Sequence, residues 1–371
     1  MVSAFDRLRQ VIDDPHKYVE EWKDSTGRKA AGYLCTYVPE ELLYAAGVLP
    51  VRVLTKAEHI DIVGKHIPGN YCAHSRGCLA QGLQGRYSYL DGLVDSHGCQ
   101  QMLQTFYSWQ KHRPLPFSHR VFVPQNRHHP QAANQLYQEL VSFKSSLEEW
   151  TGEPVTEEAL AAAIQVYNTN RRLMREIYEL RKQDPPALSG SETFELVLSS
   201  MLMDKEEHSQ LLSQVLKELS PKQGAGRTRV MLLGSVTQDI ELYRLIESLG
   251  GDIVIDDDCV GTRYFWNEVA LDGSSLAAIG SRYLDKPPCP LWDLDPKRER
   301  CSHVLKLAQE YQVQGAVFAR LKFCDPHAYD IPAIQATLKD NDIPALVIET
   351  DITLARGQLR TRIEAFLEML V

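Results

Sequence analysis

Gly315-Ala316-Val317-Phe318-Ala319 reads as a short apolar strand leading to Cys324, Asp325 and Pro326, with a helical stretch from Asp330. The same succession occurs three more times. Ala30-Ala31-Gly32-Tyr33-Leu34 runs into Cys35 before Pro39-Glu40-Glu41-Leu42-Leu43 starts a helix. Asp91-Gly92-Leu93-Val94-Asp95 reaches Cys99 ahead of a helix over Gln100–Gln110, and Asp252-Ile253-Val254-Ile255 leads through three aspartates to Cys259. Strand-like runs alternating with helical patterns predict βαβ units and a parallel sheet. Ligands of open α/β sheets bind beyond the carboxyl ends of the strands, so thiols at four such ends point to one shared site.

Working outward, the first half offers strands near Lys29–Leu34, Pro50–Leu54, Asp91–Asp95 and Arg120–Val123. The second half offers strands near Arg229–Leu233, Asp252–Ile255, Gly315–Ala319 and Ala345–Ile348. Between them, Ala132–Trp150 and Thr156–Leu180 carry apolar residues at helical spacing, with Thr156 as a cap and Glu157 and Glu158 in the first turn. A third helical region follows Asp184-Pro185-Pro186 as far as Leu219, and Pro221–Arg229 reads as a linker. Asp239–Leu249 reads as a helix ended by Gly250-Gly251, and a last helix runs from Gln358 to Leu370. The expected division is an amphipathic helix over 1–28, a first α/β lobe over 29–130, a helical segment over 131–221 and a second α/β lobe over 222–371. No strong sequence repeat relates the two lobes.

Composition excludes several classes. A net charge of −9 opposes general nucleic-acid binding, which needs a concentrated basic face. No apolar run approaches the ~20 residues of a membrane span, and Met1–Arg9 is too polar for a signal peptide. The expected compartment is the cytoplasm, where the eight cysteines are not disulfides. Convergent thiolates there suit a soft metal or an iron–sulfur cluster. No CxxC pair with zinc-finger partners occurs, and no Gly-x-x-x-x-Gly-Lys-Ser/Thr loop for ATP hydrolysis.

Two further thiols join the strand-end set. Cys72 lies in Asn70-Tyr71-Cys72-Ala73-His74-Ser75-Arg76-Gly77-Cys78, a loop or helix start, and Cys289 in the rigid loop Pro287-Pro288-Cys289-Pro290. Cys78 and Cys301 read as packing residues, Cys301 at the start of an amphipathic helix. His97, His128, His129 and His303 read as solvated histidines. Asp256-Asp257-Asp258 reads as a solvated strand end rather than a carboxylate metal site. Arg263 with Tyr264, Phe265 and Trp266 either binds an anionic group or begins a helix with core aromatics.

Several stretches together resemble the 2-hydroxyacyl-CoA dehydratase and benzoyl-CoA reductase family along nearly the whole chain. They are Tyr37-Val38-Pro39-Glu40-Glu41 with Ala45-Ala46-Gly47-Val48-Leu49-Pro50, then Cys72, Cys99, and Ala163-Ile164 to Asn168 with Asn170-Arg171. Asp257-Asp258-Cys259, Phe323-Cys324-Asp325-Pro326 and Gly357-Gln358-Leu359-Arg360-Thr361-Arg362 with Ala365-Phe366-Leu367-Glu368 complete the set. The resemblance implies two Rossmann-like lobes with an iron–sulfur cluster held by three cysteines in the cleft between them, here Cys72, Cys99 and Cys324. It implies a homologous second subunit or a dimer of this chain, a separate ATP-hydrolysing iron–sulfur activator, and an acyl-CoA substrate. Val123-Pro124-Gln125-Asn126 resembles the benzoyl-CoA reductase subunits more than the dehydratase ones. Cys35, Cys259 and Cys289 have equivalents in a related group with a double-cubane cluster. The cofactor expected by resemblance is therefore either 4Fe-4S or double-cubane 8Fe-9S. The activities implied are single-electron reduction of an acyl-CoA, dehydration of an (R)-2-hydroxyacyl-CoA through a ketyl radical, double-cubane reduction of small molecules, or a non-catalytic electron relay.

Overall fold

The computed structural model describes residues 3–55, 60–96, 98–220, 227–291, 298–351 and 353–371. Most of the expected linker and His97 lie outside these residues.

Among the described residues, eight strands form two separate four-stranded sheets, all of whose pairings are parallel. The first contains β1 (Ala30–Tyr33), β2 (Leu49–Arg52), β3 (Gly92–Ser96) and β4 (Phe117–Val121), in the order β2-β1-β3-β4. The second contains β5 (Thr228–Gly234), β6 (Gly251–Asp257), β7 (Gly315–Leu321) and β8 (Ala345–Thr350), in the order β6-β5-β7-β8. Both sheets thus carry one topology, an internal repeat of architecture without a strong repeat of sequence. In each, the chain reverses its direction of travel between the first and third strands, opening a crevice at their carboxyl ends.

Burial explains the apolar runs. β5 and β6 are buried almost throughout, as strands covered on both faces must be. β4 starts at Phe117, earlier than the expected Arg120. It is an edge strand whose middle is partly exposed, so Ser118, His119 and Arg120 hide its apolar ends. Phe117 stacks on Trp150 at 4.2 Å between centroids, tying this edge to helix Ala132–Thr151. One apolar core runs through both lobes, from Val51 and Leu93 to Val230 and Val317.

Capping accounts for other differences from expectation. The N-terminal stretch is two helices, Ala4–Asp13 and Pro15–Thr26, because Asp14 accepts a hydrogen bond from Lys17 N and Pro15 suits a first turn. Similarly, the region before Leu219 splits into Gly190–Ser200 and Lys205–Glu218, the second capped by Asp204. Helix Asp325–Lys339 begins directly after Cys324, with Pro326 in its first turn, rather than at Asp330. Among the described residues, no helix is long and apolar enough to cross a membrane.

Helix Ala73–Leu83 is pressed against Gln100–His112 at Gly82, where a β-carbon would lie 2.5 Å from the Trp109 ring. The ring is 2% exposed and has little room to retreat. Gly82→Ala is expected to destabilise the chain by about 1–3 kcal/mol through overpacking, read as a lower urea midpoint. An unchanged midpoint would show that this contact is looser than the structure has it.

Candidate metal centre

Six of the eight cysteines line one cavity of about 280 Å³ between the lobes: Cys35, Cys72, Cys99, Cys259, Cys289 and Cys324. The volume sits near the low end of the ~300–1,000 Å³ usual for ligand pockets. Cys35 and Cys99 follow β1 and β3, which flank the crevice of the first sheet. Cys324 follows β7 beside the crevice of the second, and Cys259 follows β6. Cys78 is buried within helix Ala73–Leu83, and Cys301 lies in helix Glu299–Glu310, neither in the cavity wall.

Three of these residues cap helices. Cys72, Cys99 and Cys324 are the N-caps of Ala73–Leu83, Gln100–His112 and Asp325–Lys339. Three helix N-termini therefore bring free N–H groups and positive dipole ends to one cavity. The Cys99 sulfur already accepts from Met102 N at 3.4 Å. Cys35 is not itself a cap, because the helix that follows it, Glu40–Ala45, is capped by Pro39, as the sequence leads one to expect.

Burial raises the thiols of Cys72, Cys99, Cys259, Cys289 and Cys324, with Cys289 and Cys324 pushed up to about 12. Neighbouring thiols add to this. Cys99 is raised further by Cys72, Cys324 and Cys35, and Cys289 by Cys259 and Cys35. Cys324 is raised by Cys72 and Cys259. The repulsions thus run within two groups, 72/99/324 and 35/259/289, joined at Cys35–Cys99 and Cys259–Cys324. A group that displaces these protons must be a strong Lewis acid.

Buried cations face the thiols. Arg263 lies 3.6 Å from the Cys259 sulfur while donating to Gly234 O at 2.6 Å. The Arg52 side chain lines the cavity, 2% exposed, with Nε and Nη1 lacking a hydrogen-bond partner among the described residues. Lys286 donates to Thr36 O at 2.6 Å, and burial holds its ammonium well below the usual range while Cys35 and Cys259 push back. His74 and His327 also line the cavity, held neutral by burial first and by neighbouring arginines next. Gly98 completes the wall, since a β-carbon there would lie 2.8 Å from the Cys35 sulfur.

The residues fit an iron–sulfur cluster. The donors are soft thiols, the wall is mainly apolar, and the guanidinium groups of Arg52 and Arg263, each with nitrogens that lack a hydrogen-bond partner among the described residues, offset the charge such a cluster carries. Among the described residues, no three ligating side chains close on one point as a single ion requires. A cluster differs in spreading its thiolates over separate irons.

The aspartate triplet corrects the expectation of a solvated strand end. Asp256, Asp257 and Asp258 are all buried. Asp256 accepts from Tyr178 OH and from Thr262 N at 2.7 Å. Asp257 pairs with Arg300 at 2.6 Å, and Asp258 accepts from Thr237 Oγ1 at 2.7 Å and Val260 N at 2.8 Å. Arg300 also donates to Pro288 O at 2.6 Å, fixing the loop that bears Cys289 to the strand end that bears Cys259. These carboxylates build the loops around the thiols. Of the histidines, His128 pairs with Glu299 at 3.1 Å and His303 is half-buried, so the latter is not a solvated side chain.

Sequence reasoning missed Arg52, Gly98 and Gln101. A lone arginine closing an apolar strand was the available signal for Arg52. Nothing local distinguishes Gln101, whose carboxamide links Cys72 N at 2.7 Å to Phe323 O at 2.9 Å.

Fold and site together define a class: two parallel α/β lobes of like topology enclosing a thiol-lined cavity at their strand ends. The family model described as 2-hydroxyglutaryl-CoA dehydratase, D-component, matches residues 35–370, and the chain belongs to that family. It is an enzyme subunit of this dehydratase and reductase group. It is 28% identical to the (R)-phenyllactyl-CoA dehydratase beta subunit of Clostridium sporogenes, over 99% of this chain and 98% of that one. It is 28% identical to the (R)-2-hydroxyglutaryl-CoA dehydratase beta subunit of Acidaminococcus fermentans, over 99% of both. With a benzoyl-CoA reductase subunit of Thauera aromatica it shares 27% identity, over 87% of this chain and 86% of that one.

Proposed function

We propose that the chain is the iron–sulfur subunit of a low-potential reductase of benzoyl-CoA reductase type, delivering single electrons to an acyl-CoA substrate. It acts with a separate ATP-hydrolysing activator, paired with itself or with a homologous subunit. The observation that carries this reading is six cysteines from both lobes lining one cavity. When bound, the cluster supplies single electrons at low potential. The protein's own part is to bind and to exclude water. Cys72, Cys99 and Cys324 hold the cluster, with three helix N-termini behind them. Apolar Leu34, Met102, Val236 and Leu321 keep the wall dry, which makes added negative charge costly and the reduced state strongly reducing. Arg52 and Arg263 offset enough of that charge to keep the site stable.

The six-thiol wall favours the larger 8Fe-9S form, with Cys35, Cys259 and Cys289 as the adjoining ligands. It also favours a second reading, a double-cubane reductase of small molecules, because the cavity is small for a cluster and a bulky acyl group together. Both readings place ATP hydrolysis on a separate electron donor, since the sequence holds no nucleotide-phosphate loop. The cluster-loaded chain should show no acyl-CoA turnover with a mild reductant until activator and ATP are added. Full turnover without ATP would refute the electron supply proposed, and ATP-dependent turnover confined to small reducible molecules would select the second reading.

A further inference from the structure

We propose that Gln101 is a positioning residue, a clasp across the lobes that sets the mutual placement of Cys72, Cys99 and Cys324. The inference rests on reading those thiols as cluster ligands. Gln101 stands at the second position of helix Gln100–His112, immediately after the Cys99 cap, so its backbone moves with Cys99. Its side-chain oxygen accepts from Cys72 N at 2.7 Å, the N-cap amide of a second helix. Its amide nitrogen donates to Phe323 O at 2.9 Å, on the turn that delivers Cys324 to a third helix. One carboxamide therefore joins three segments from two lobes at the cavity wall, which Gln101 itself lines.

The turn it holds is strained. Phe323 has φ 63°, a left-handed conformation unfavourable for a residue with a β-carbon, and the residue is 41% exposed. Such a conformation persists only where neighbours over-determine it. The neighbours here are the Cys324 N to Leu321 O turn bond at 3.0 Å and the Gln101 amide. Only a carboxamide accepts from one side and donates to the other, which a carboxylate or an aliphatic chain of the same length does not. The lobes are joined elsewhere by Thr55 with Gln238 and by Arg76 with Asp351 at 2.9 Å, contacts that do not involve the three cysteine segments' backbones in this way. Removing the clasp should therefore loosen ligand placement without separating the lobes.

Gln101→Ala and Gln101→Glu separate the two halves of the clasp. In the metal-free full-length chain, hydrogen exchange at the Cys72 and Cys324 amides is measured by peptide mass spectrometry. In Gln101→Ala the Cys72 amide should exchange roughly five- to tenfold faster, the factor one lost hydrogen bond is worth, and the Cys324 amide, whose own bond to Leu321 O remains, should exchange faster by a smaller factor as its turn loosens. In Gln101→Glu only Cys324 should exchange faster, because the carboxylate still accepts from Cys72 N. In the reduced, cluster-loaded chain both variants should shift the electron paramagnetic resonance signal while the thermal midpoint barely moves. Exchange unchanged in both variants would overturn the clasp, whatever the wild type binds. If the exchange rates split as stated but the wild type binds no iron, the ligand reading fails and the role proposed for the clasp falls with it.

Discussion

Replacing Arg171 by alanine is expected to destabilise the chain by about 3–5 kcal/mol, the usual cost of stranding one partner of a buried ion pair. Arg171 pairs with Glu41, and both are buried. Around them Tyr283 donates to Glu41 Oε2 at 2.9 Å, and Arg171 also bonds Asn168 at 3.2 Å. Asn168 in turn donates to Val269 O at 2.7 Å, so the pair locks the helix after β1 to helix Glu157–Leu180 and to the second half of the chain. Burial alone would raise the Glu41 carboxyl, but Arg171 and Arg282 outweigh it and hold it down at about 2. A carboxyl with a depressed folded-state pKa stabilises above its unfolded value of ~4.3. That contribution is lost as pH falls toward 2 and is worth ~3 kcal/mol when complete. Urea midpoints of the metal-free chain at neutral and acid pH read both effects. Glu41→Leu with Arg171→Met should lose less than Arg171→Ala, because it removes both charges together. A loss below about 1 kcal/mol for Arg171→Ala would mean the pair is wetter than its burial indicates.

Serine at Cys72, Cys99 or Cys324 is expected to abolish cluster binding, since each removes an anchor at a helix N-terminus. Serine at Cys35, Cys259 or Cys289 should instead remove several irons and leave a smaller cluster. The distinction follows from the two groups of mutually repelling thiols, of which only the first carries three helix caps. Iron content after anaerobic purification reads both, and Cys78→Ser, outside the cavity wall, serves as the control. Equal iron in Cys35→Ser and wild type would return Cys35 to ordinary packing.

The strand-end thiols were legible because a βα unit is local. A buried strand, a turn and a helix start all lie within about fifteen residues, and side-chain type marks each one. Where partners come from far along the chain, local patterns misled. Asp256-Asp257-Asp258 looks solvated until Arg300 arrives from 43 residues away and Tyr178 from 78. The Glu41–Arg171 pair joins two motifs 130 residues apart, and nothing in either names the other. Edge strand β4 was displaced because exposed Ser118 and half-exposed His119 and Arg120 break the apolar run. Gln101 was invisible for a simpler reason: a glutamine in a first helical turn is ordinary until two backbone groups meet its carboxamide.

The metal content of the wild-type chain tests the cluster assignment most directly. Anaerobic purification followed by iron and acid-labile sulfide counting should give about eight irons per chain, twice the about four of a single cubane. A chain that folds, keeps its thiols reduced and yet takes up no iron or sulfide on anaerobic reconstitution would contradict the reading of the cavity as a cluster site.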